Sequence, residues 1–158
     1  MAEQISEQIL GKIPEASGLY HRLILVVGPP RSGKTKALQE VARASRLPLV
    51  SANLELSRHL LDLTQRQRAL QAFARLADLV ATQANDVVLI DNLEVLFDVS
   101  LQQDPLRLLQ QLARARTVVA AWNGRVQDGH LTYAAPDHPE FRRYPALGLL
   151  VVDTEVSG

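Results

Sequence analysis

The chain has 158 residues, with 17 Lys and Arg against 17 Asp and Glu, and it has no cysteine. This length predicts one domain with a sizeable core, and the lack of cysteine excludes disulfides and thiolate metal sites. The balanced charge provides no overall basic field for nucleic acid. No apolar run approaches the ~20 residues that span a bilayer, and the amino terminus lacks the features of a signal peptide. We therefore expect a cytoplasmic protein without a membrane partner.

The hydrophobic pattern predicts helices that alternate with buried strands. A short amphipathic helix over residues 3–13 is expected to end at Pro14, before the first apolar run, Leu23–Val27. Continuous apolar runs are typical of strands that are buried on both faces of a parallel sheet. A helix follows, and then a second strand over residues 47–52. Strands that alternate with helices indicate a parallel sheet with helices on both faces.

The second half of the chain continues this alternation. Residues 54–84 are predicted to be largely helical, with a capping box at Thr64 and Gln67 and an apolar stripe that begins at Leu70. The third apolar run is Val87–Ile90. The remaining predictions are a helix capped by Asp104 and begun by Pro105, strands over 117–122 and 149–153, and an irregular segment, 124–145, with a short helix near Glu140.

Residues Gly28–Thr35 match the complete pattern of a phosphate-binding loop, G-x-x-x-x-G-K-[ST], between an apolar strand and an amphipathic helix. Gly33 lets the main chain approach phosphate, and amides at the helix start bind its oxygens. Lys34 reaches the β- and γ-phosphates, and the Thr35 hydroxyl ligates Mg²⁺. Arg31 is equally well explained as a solvated side chain. The predicted nucleotide-binding residues are Gly28, Pro29, Pro30, Arg31, Ser32, Gly33, Lys34, Thr35 and Lys36.

A carboxylate at the end of the third apolar run completes the predicted metal site. Asp91 would hold Mg²⁺ together with Thr35. In P-loop ATPases with an extra strand between the two motifs, a Glu usually follows this Asp and activates the attacking water. Here Asn92 follows, and an amide can orient a water but cannot take its proton. Glu94 is either a catalytic carboxylate or a surface one, so the sequence supports nucleotide binding better than hydrolysis.

Three further residues are candidates for a catalytic role. Asn123 ends the fourth strand, where AAA-type ATPases carry the sensor 1 residue that contacts the γ-phosphate; it could instead belong to a strand-exit turn. Arg142 and Arg143 lie where AAA-type proteins often place an arginine finger, and they could equally be surface residues. The catalytic candidates are therefore Lys34, Asn92, Glu94, Asn123, Arg142 and Arg143.

Several segments along most of the chain together resemble the BrxF family, which comprises small P-loop proteins of type 3 BREX (bacteriophage exclusion) operons. These segments are Gly28–Thr35, Asn53–Ser57, Asp91–Asp98, Gln103–Leu109 and Gly129–Pro145. The resemblance implies an ATP-binding protein in bacterial defence against phage. It also implies BREX partners: the large ATPase BrxC, a DNA methyltransferase and a PglZ-type protein.

The predicted fold is a three-layer α/β P-loop NTPase with an AAA/ASCE-like core. We expect one domain over residues 1–158, with an amino-terminal helix in 1–20 and the core in 21–158. Its five parallel strands are predicted in the order 5-1-4-3-2, without a helical lid domain. Without a lid, adenine is expected near the amino terminus, at Ile13, Leu19 or Tyr20.

The leading functional prediction is an ATP- and Mg²⁺-binding protein with slow or partner-stimulated ATPase activity. It would act in a homo-oligomer, in which Arg142 or Arg143 meets the neighbouring subunit's nucleotide. One alternative is a nucleotide-dependent scaffold without useful hydrolysis, which Asn92 favours. A second is a small-molecule kinase, whose lid Arg125, Arg142 and Arg143 could serve. DNA binding is expected only for an assembly.

Overall fold

A computed structural model describes residues 2–61, 63–98, 101 and 103–155, without the side chains of Ala2, Glu3, His59 and Ala69. Helices and strands alternate, as the apolar runs predict. In chain order they are α1 Ala2–Ala16, β1 Leu23–Gly28, α2 Lys34–Ser45, β2 Leu49–Ser51, α3 Ala52–Leu60, α4 Gln65–Ala81, β3 Val87–Asp91, a 3₁₀ helix Leu93–Phe97, α5 Pro105–Leu112, β4 Thr117–Gln127, β5 His130–Tyr133, β6 Arg142–Pro145 and β7 Leu150–Asp153. None of the described helices is both long enough and apolar enough to cross a membrane.

Five parallel strands form the core sheet in the order β2-β3-β4-β1-β7. Since β7 is the fifth of these strands along the chain, the predicted order 5-1-4-3-2 is confirmed. The register of β1 against β4 pairs Gly28 with Asn123, and that of β2 against β3 pairs Ser51 with Asp91. Parallel strands bring their carboxyl ends to one edge of the sheet. The fold therefore gathers these four residues at that edge.

Helices cover both faces of the sheet. Successive residues of a strand point to opposite faces of the sheet. Since both faces are covered, β1 is buried along its whole length. Ile24 and Val26 pack with α1 and α2, and Leu25 and Val27 pack with α3, α4, α5 and the 3₁₀ helix. The continuous apolar run in the sequence is thus the mark of a central strand with two covered faces.

Local signals determine where two helices begin. The Thr64 hydroxyl accepts from the Gln67 amide at 3.2 Å, and the Gln67 side chain accepts from the Thr64 amide at 2.9 Å. This confirms the predicted capping box and separates α4 from α3. The carboxylate of Asp104 accepts from the Arg107 amide, and Pro105 opens α5, also as predicted.

Two details of the helical predictions are wrong. Pro14 does not end α1, which continues to Ala16. A proline near the carboxyl end removes one backbone hydrogen bond, and the completely buried Ala16 anchors the turn beyond it. Leu70 is 73% exposed, because α4 buries Ala72 and Leu76, four residues apart, and Leu70 lies on the opposite side of the helix.

The segment 124–145 is not irregular, and the short helix predicted near Glu140 is absent, since Glu140 lies in a turn. Instead β4 continues to Gln127, β5 pairs with it in antiparallel fashion, and β6 pairs with β5. Asp128 and Gly129 have φ values of 53° and 74°, as the type I′ turn of a hairpin requires. We call β4 beyond Trp122, together with β5 and β6, the extension hairpin.

An aromatic cluster fastens the extension hairpin to the core. Trp122 is fully buried, and its Nε1 donates to the Thr132 carbonyl at 3.0 Å. The Tyr133 ring stacks on Phe97, with 3.5 Å between ring centroids. These contacts tie β5 to the 3₁₀ helix that follows Asp91.

We expect Gly124 to be required for the close approach of β4 and β5. A Cβ at Gly124 would lie 1.8 Å from the Thr132 carbonyl oxygen. Because that obstacle is backbone, Gly124→Ala should lower the free energy of unfolding by about 1–3 kcal/mol in urea denaturation. The matched control is Gly11→Ala in α1, where a Cβ meets nothing within 4 Å; it should raise stability by about 0.5–1 kcal/mol. Wild-type stability of Gly124→Ala would contradict this packing.

Candidate nucleotide-binding site

The loop Gly28–Thr35 leaves β1 and turns into α2 at the carboxyl edge of the sheet. Gly33 precedes α2 with a φ of 95°, a left-handed conformation that suits glycine. A Cβ at Gly28 would lie 2.0 Å from the Thr154 hydroxyl and 2.5 Å from the Ser32 hydroxyl. Both glycines of the motif are therefore required by local geometry.

The Lys34 ammonium lies inside the curve of the loop. Its Nζ donates to the carbonyl oxygens of Gly28 at 2.7 Å and Pro29 at 2.6 Å, and to the Ser32 hydroxyl at 3.3 Å. Burial lowers the pKa of Lys34 to about 8, against the opposing effect of the charges of Asp91 and Glu94. The side chain is thus charged at neutral pH and held at the place where a phosphate would lie.

Thr35 and Asp91 form the predicted metal pair. The Thr35 hydroxyl donates to Asp91 Oδ2 at 2.6 Å, and Asp91 Oδ1 accepts from the Asn92 amide at 2.8 Å. A hydroxyl and a carboxylate in contact at the start of α2 are oxygen donors of the kind that Mg²⁺ takes in phosphate sites. These residues fit a magnesium ion that also binds phosphate oxygens.

Asn92 has a left-handed backbone, with a φ of 57°. Asn tolerates this region better than most residues, which is a physical reason for an amide at this position. The Asn92 side chain donates to the Ser51 hydroxyl at 2.9 Å. Its side chain is therefore occupied in joining β2 to the end of β3.

Glu94 is held between two asparagine amides. Its Oε1 accepts from Asn123 Nδ2 at 2.6 Å, and its Oε2 accepts from Asn53 Nδ2 at 3.2 Å. Asn53 Oδ1 accepts from the main-chain amide of Val95 at 2.8 Å. This bond fixes the orientation of the Asn53 side chain. Glu94, on the 3₁₀ helix, is therefore held in the site by side chains of two other elements, α3 and β4.

The sequence did not single out Asn53 as a site residue. It contacts Glu94 from 41 residues away in the chain, and a single sequence carries no signal of such a pairing. Asn53 is the second residue of α3 and comes directly after the second strand that the sequence predicts, residues 47–52. A polar residue next to the carboxyl end of a strand is the one feature that could have drawn attention to it.

A cavity of about 600 Å³, the phosphate cavity, joins these groups. Of the predicted residues, it is lined by Pro30, Arg31, Gly33, Lys34, Thr35, Lys36, Asp91, Asn92, Glu94 and Asn123. Asn123 does not end its strand, since β4 runs through it. Gln39, in the second turn of α2, is a lining residue that the sequence did not indicate.

The two candidate arginines point to different places. Arg142 donates to the Gln103 carbonyl at 3.1 Å and lines neither cavity at this edge. Arg143 is exposed, and it lines a second cavity together with Pro29 and Asn123. The structure therefore separates two residues that the sequence treats as a pair.

The expected adenine contacts are not at this site. Leu19 and Tyr20 come just before β1 begins, and the loop follows the end of β1, so they lie at the opposite edge of the sheet. Arg114 stacks over the Tyr20 ring at 4.8 Å. Ile13 packs against the core between α1 and the sheet. The adenine prediction is wrong because it ignored the direction of β1.

A phosphate loop after a central strand, with a carboxylate at the end of the strand two places away in the same sheet, defines a P-loop nucleotide-binding domain. The family model of the ATPases associated with various cellular activities (AAA) matches residues 24–121. This match covers more than half of the chain and includes the loop and Asp91. The chain belongs to the AAA family and contains a P-loop ATPase-like domain. No curated protein matches the chain.

The buried Lys34 should make nucleotide affinity depend on pH. Since burial lowers its pKa to about 8, the free protein loses the ammonium proton above that pH and must regain it to hold phosphate. Affinity for Mg-ATP should then be constant from neutral pH to pH 8 and fall by about tenfold per pH unit beyond it, as measured by calorimetry.

Two lysine variants control this experiment. Lys12 is the matched control, because it lies on α1 beside Glu15 and away from the loop; Lys12→Ala should keep the fall in affinity. Lys34→Ala should bind weakly and show no step near pH 8. An unchanged wild-type affinity across this range would contradict the assignment of Lys34 to phosphate.

Proposed function

We propose that the protein binds Mg-ATP and hydrolyses it slowly, with stimulation by a partner. The main support is the position of Glu94, whose carboxylate lines the same cavity as Lys34 and Asp91. A carboxylate at that place can take a proton from a water that attacks the γ-phosphate. The common position for this base, directly after the Asp, is occupied here by Asn92.

In this proposal the loop residues bind the phosphates, and Glu94 and Asn123 act on the attacking water. Backbone amides at the start of α2 and the Lys34 ammonium would hold the β- and γ-phosphates. These contacts would strengthen as negative charge develops on the phosphate oxygens in the transition state. Thr35 and Asp91 would hold a magnesium ion, which would neutralise part of the negative charge of the phosphates. Asn123, beside Glu94, has its side-chain carbonyl oxygen available to orient a water.

The same geometry accounts for a low rate. Both oxygens of Glu94 already accept hydrogen bonds, at 2.6 Å from Asn123 and 3.2 Å from Asn53. Each amide competes with a water for the lone pairs of the carboxylate. A partner that moves either amide would free the base, and this arrangement supports the proposed stimulation by a partner.

Glu94→Gln should separate hydrolysis from binding. The amide side chain keeps the shape but cannot accept the proton, so phosphate release should fall by about 10²-fold or more while Mg-ATP affinity stays within a few-fold of the wild type. Phosphate release and calorimetry measure the two effects. The matched control, Glu7→Gln on the exposed side of α1, should leave both unchanged, and Lys34→Ala should abolish both.

The alternative is a nucleotide-dependent scaffold. It is favoured by Asn92 at the usual position of the base and by the two amides on Glu94. It requires that the wild type bind Mg-ATP without turnover, so that Glu94→Gln changes nothing. Turnover that Lys34→Ala abolishes would reject the scaffold.

The resemblance to the BrxF family leads us to propose action within a BREX assembly in defence against phage, as a homo-oligomer or together with the ATPase BrxC. The exposed Arg143 is our candidate for contact with a neighbouring subunit's nucleotide. We expect mass photometry to show a larger assembly with Mg-ATP than with ADP, and phosphate release to rise when BrxC is added. A monomer under all nucleotides, with no response to BrxC, would contradict this proposal and leave the nucleotide site standing.

A further inference from the structure

A second cavity, of about 780 Å³, opens beside the phosphate cavity. We call it the hairpin cavity, because its walls are the extension hairpin and the loop between β5 and β6. It shares Pro30 and Asn123 with the phosphate cavity. Its volume lies within the ~300–1,000 Å³ of small-molecule sites. Of its other residues, the function proposed above uses only Pro29, in the phosphate loop, and Arg143.

The hairpin cavity lies at the γ-phosphate end of the loop. Lys34 Nζ, which reaches the β- and γ-phosphates in such loops, is bonded to the Pro29 carbonyl, and Pro29 lines the hairpin cavity. The other end of the phosphate cavity is marked by Lys36 and Gln39 on α2, which do not line the hairpin cavity. The adenosine of ATP leaves from that far end, so it does not fill the hairpin cavity.

One wall of the hairpin cavity is aromatic and carries a hydroxyl. Tyr133 and Phe141 both line it, and Tyr133 is only 8% exposed. Among the hydrogen bonds of the described residues, none involves the Tyr133 hydroxyl. Burial and the charge of Glu140 raise the pKa of Tyr133 to about 12, so its hydroxyl remains a donor at neutral pH.

The loop that closes the cavity begins with a strained residue. Ala134 lines the cavity and has a φ of 65°, a left-handed conformation that alanine rarely adopts. This residue turns the chain out of β5 and over the cavity. Strained residues of this kind cluster around ligand sites.

Charged groups of both signs surround the same space. Arg125 faces Glu155 at 3.8 Å between two largely exposed side chains, which is a weak pair. Arg143 contacts the ring nitrogen of His130 at 3.2 Å rather than a carboxylate. Asp128 and Glu140 also line the cavity, and neither has an ion pair within the described ranges. Guanidinium groups bind phosphate, and carboxylates accept from the amino groups of nucleobases.

We propose that the hairpin cavity is a second ligand site that binds a nucleoside monophosphate. Its base would stack on the aromatic wall of Tyr133 and Phe141, with its amino group toward Glu140. Its phosphate would lie at Arg125 and Arg143. This site is separate from the ATP site, and the inference does not depend on hydrolysis.

The test titrates AMP, CMP, GMP and UMP in turn into the full chain saturated with Mg-ADP, by calorimetry. We expect at least one monophosphate to bind at one site per chain without displacing ADP. Arg143→Ala should weaken that binding by about tenfold or more, and Tyr133→Phe by a few-fold. Arg142→Ala is the matched control, because Arg142 is the neighbour in β6 but does not line the cavity; its affinity should equal that of the wild type.

The single tryptophan provides a second readout. The Trp122 ring lies 6.3 Å from the Tyr133 ring, behind the aromatic wall. Its fluorescence should change with monophosphate in the wild type and in Arg142→Ala, with a midpoint that moves to higher concentration in Arg143→Ala. This signal also confirms that each variant is folded.

Four results would overturn the proposal. They are no binding of any monophosphate at millimolar concentration, loss of binding when Mg-ADP is saturating, wild-type affinity in Arg143→Ala, and binding of a single-stranded oligonucleotide but of no monophosphate. Failure of Mg-ADP to bind would instead refute the proposed function, and titration of the nucleotide-free chain would still decide this proposal.

Discussion

A buried ammonium holds the nucleotide site of this protein in shape. Lys34 lies within the loop that it belongs to and donates to the carbonyl oxygens of Gly28 and Pro29. These bonds hold the loop in a curved conformation without phosphate. The loop therefore loses little conformational entropy when phosphate binds. The rest of the site is arranged around this ammonium by the register of the parallel sheet, which places Asn123 opposite Gly28.

The position of Glu94 in the phosphate cavity illustrates how backbone conformation and chemistry constrain each other. The residue after Asp91 has a left-handed backbone, a conformation in which Asn is favoured over Glu. The short 3₁₀ helix that follows carries Glu94 back to the same cavity two residues later. Asn92 thus occupies the left-handed backbone position, and Glu94 provides the carboxylate in the cavity.

Much of the fold and part of the candidate site could be predicted from the sequence, for a physical reason. The loop from Gly28 to Thr35 is a contiguous motif, and Asp91 ends an apolar run, so neither requires knowledge of distant contacts. The contact between Asn53 and Glu94 joins residues that are far apart in the chain, and no local pattern reports it. The sheet order was accessible because the phosphate loop and Asp91 indicate an AAA/ASCE-like core, for which the order 5-1-4-3-2 is expected.

Two predictions were wrong although the sequence contained signals against them. The turn at Asp128-Gly129 is a strong hairpin pattern, yet the prolines and polar residues around it favoured an irregular segment. The prediction of adenine contacts at Leu19 and Tyr20 rests on the expectation that no helical lid domain covers the nucleotide. Strand β1 separates them from the loop by its full length of six residues, at ~3.3 Å per residue.

Strand β4 is continuous from the centre of the core to the tip of the extension hairpin. Asn123 lies one residue past the midpoint of this strand, where it is bonded to Glu94 and also lines the hairpin cavity. A paired strand is stiff along its length, so a movement of its outer half is transmitted to Asn123. A small tilt of the outer half would move the amide that restrains Glu94, and the protein would then have a mechanical link between whatever touches its hairpin and the reactivity of its acid.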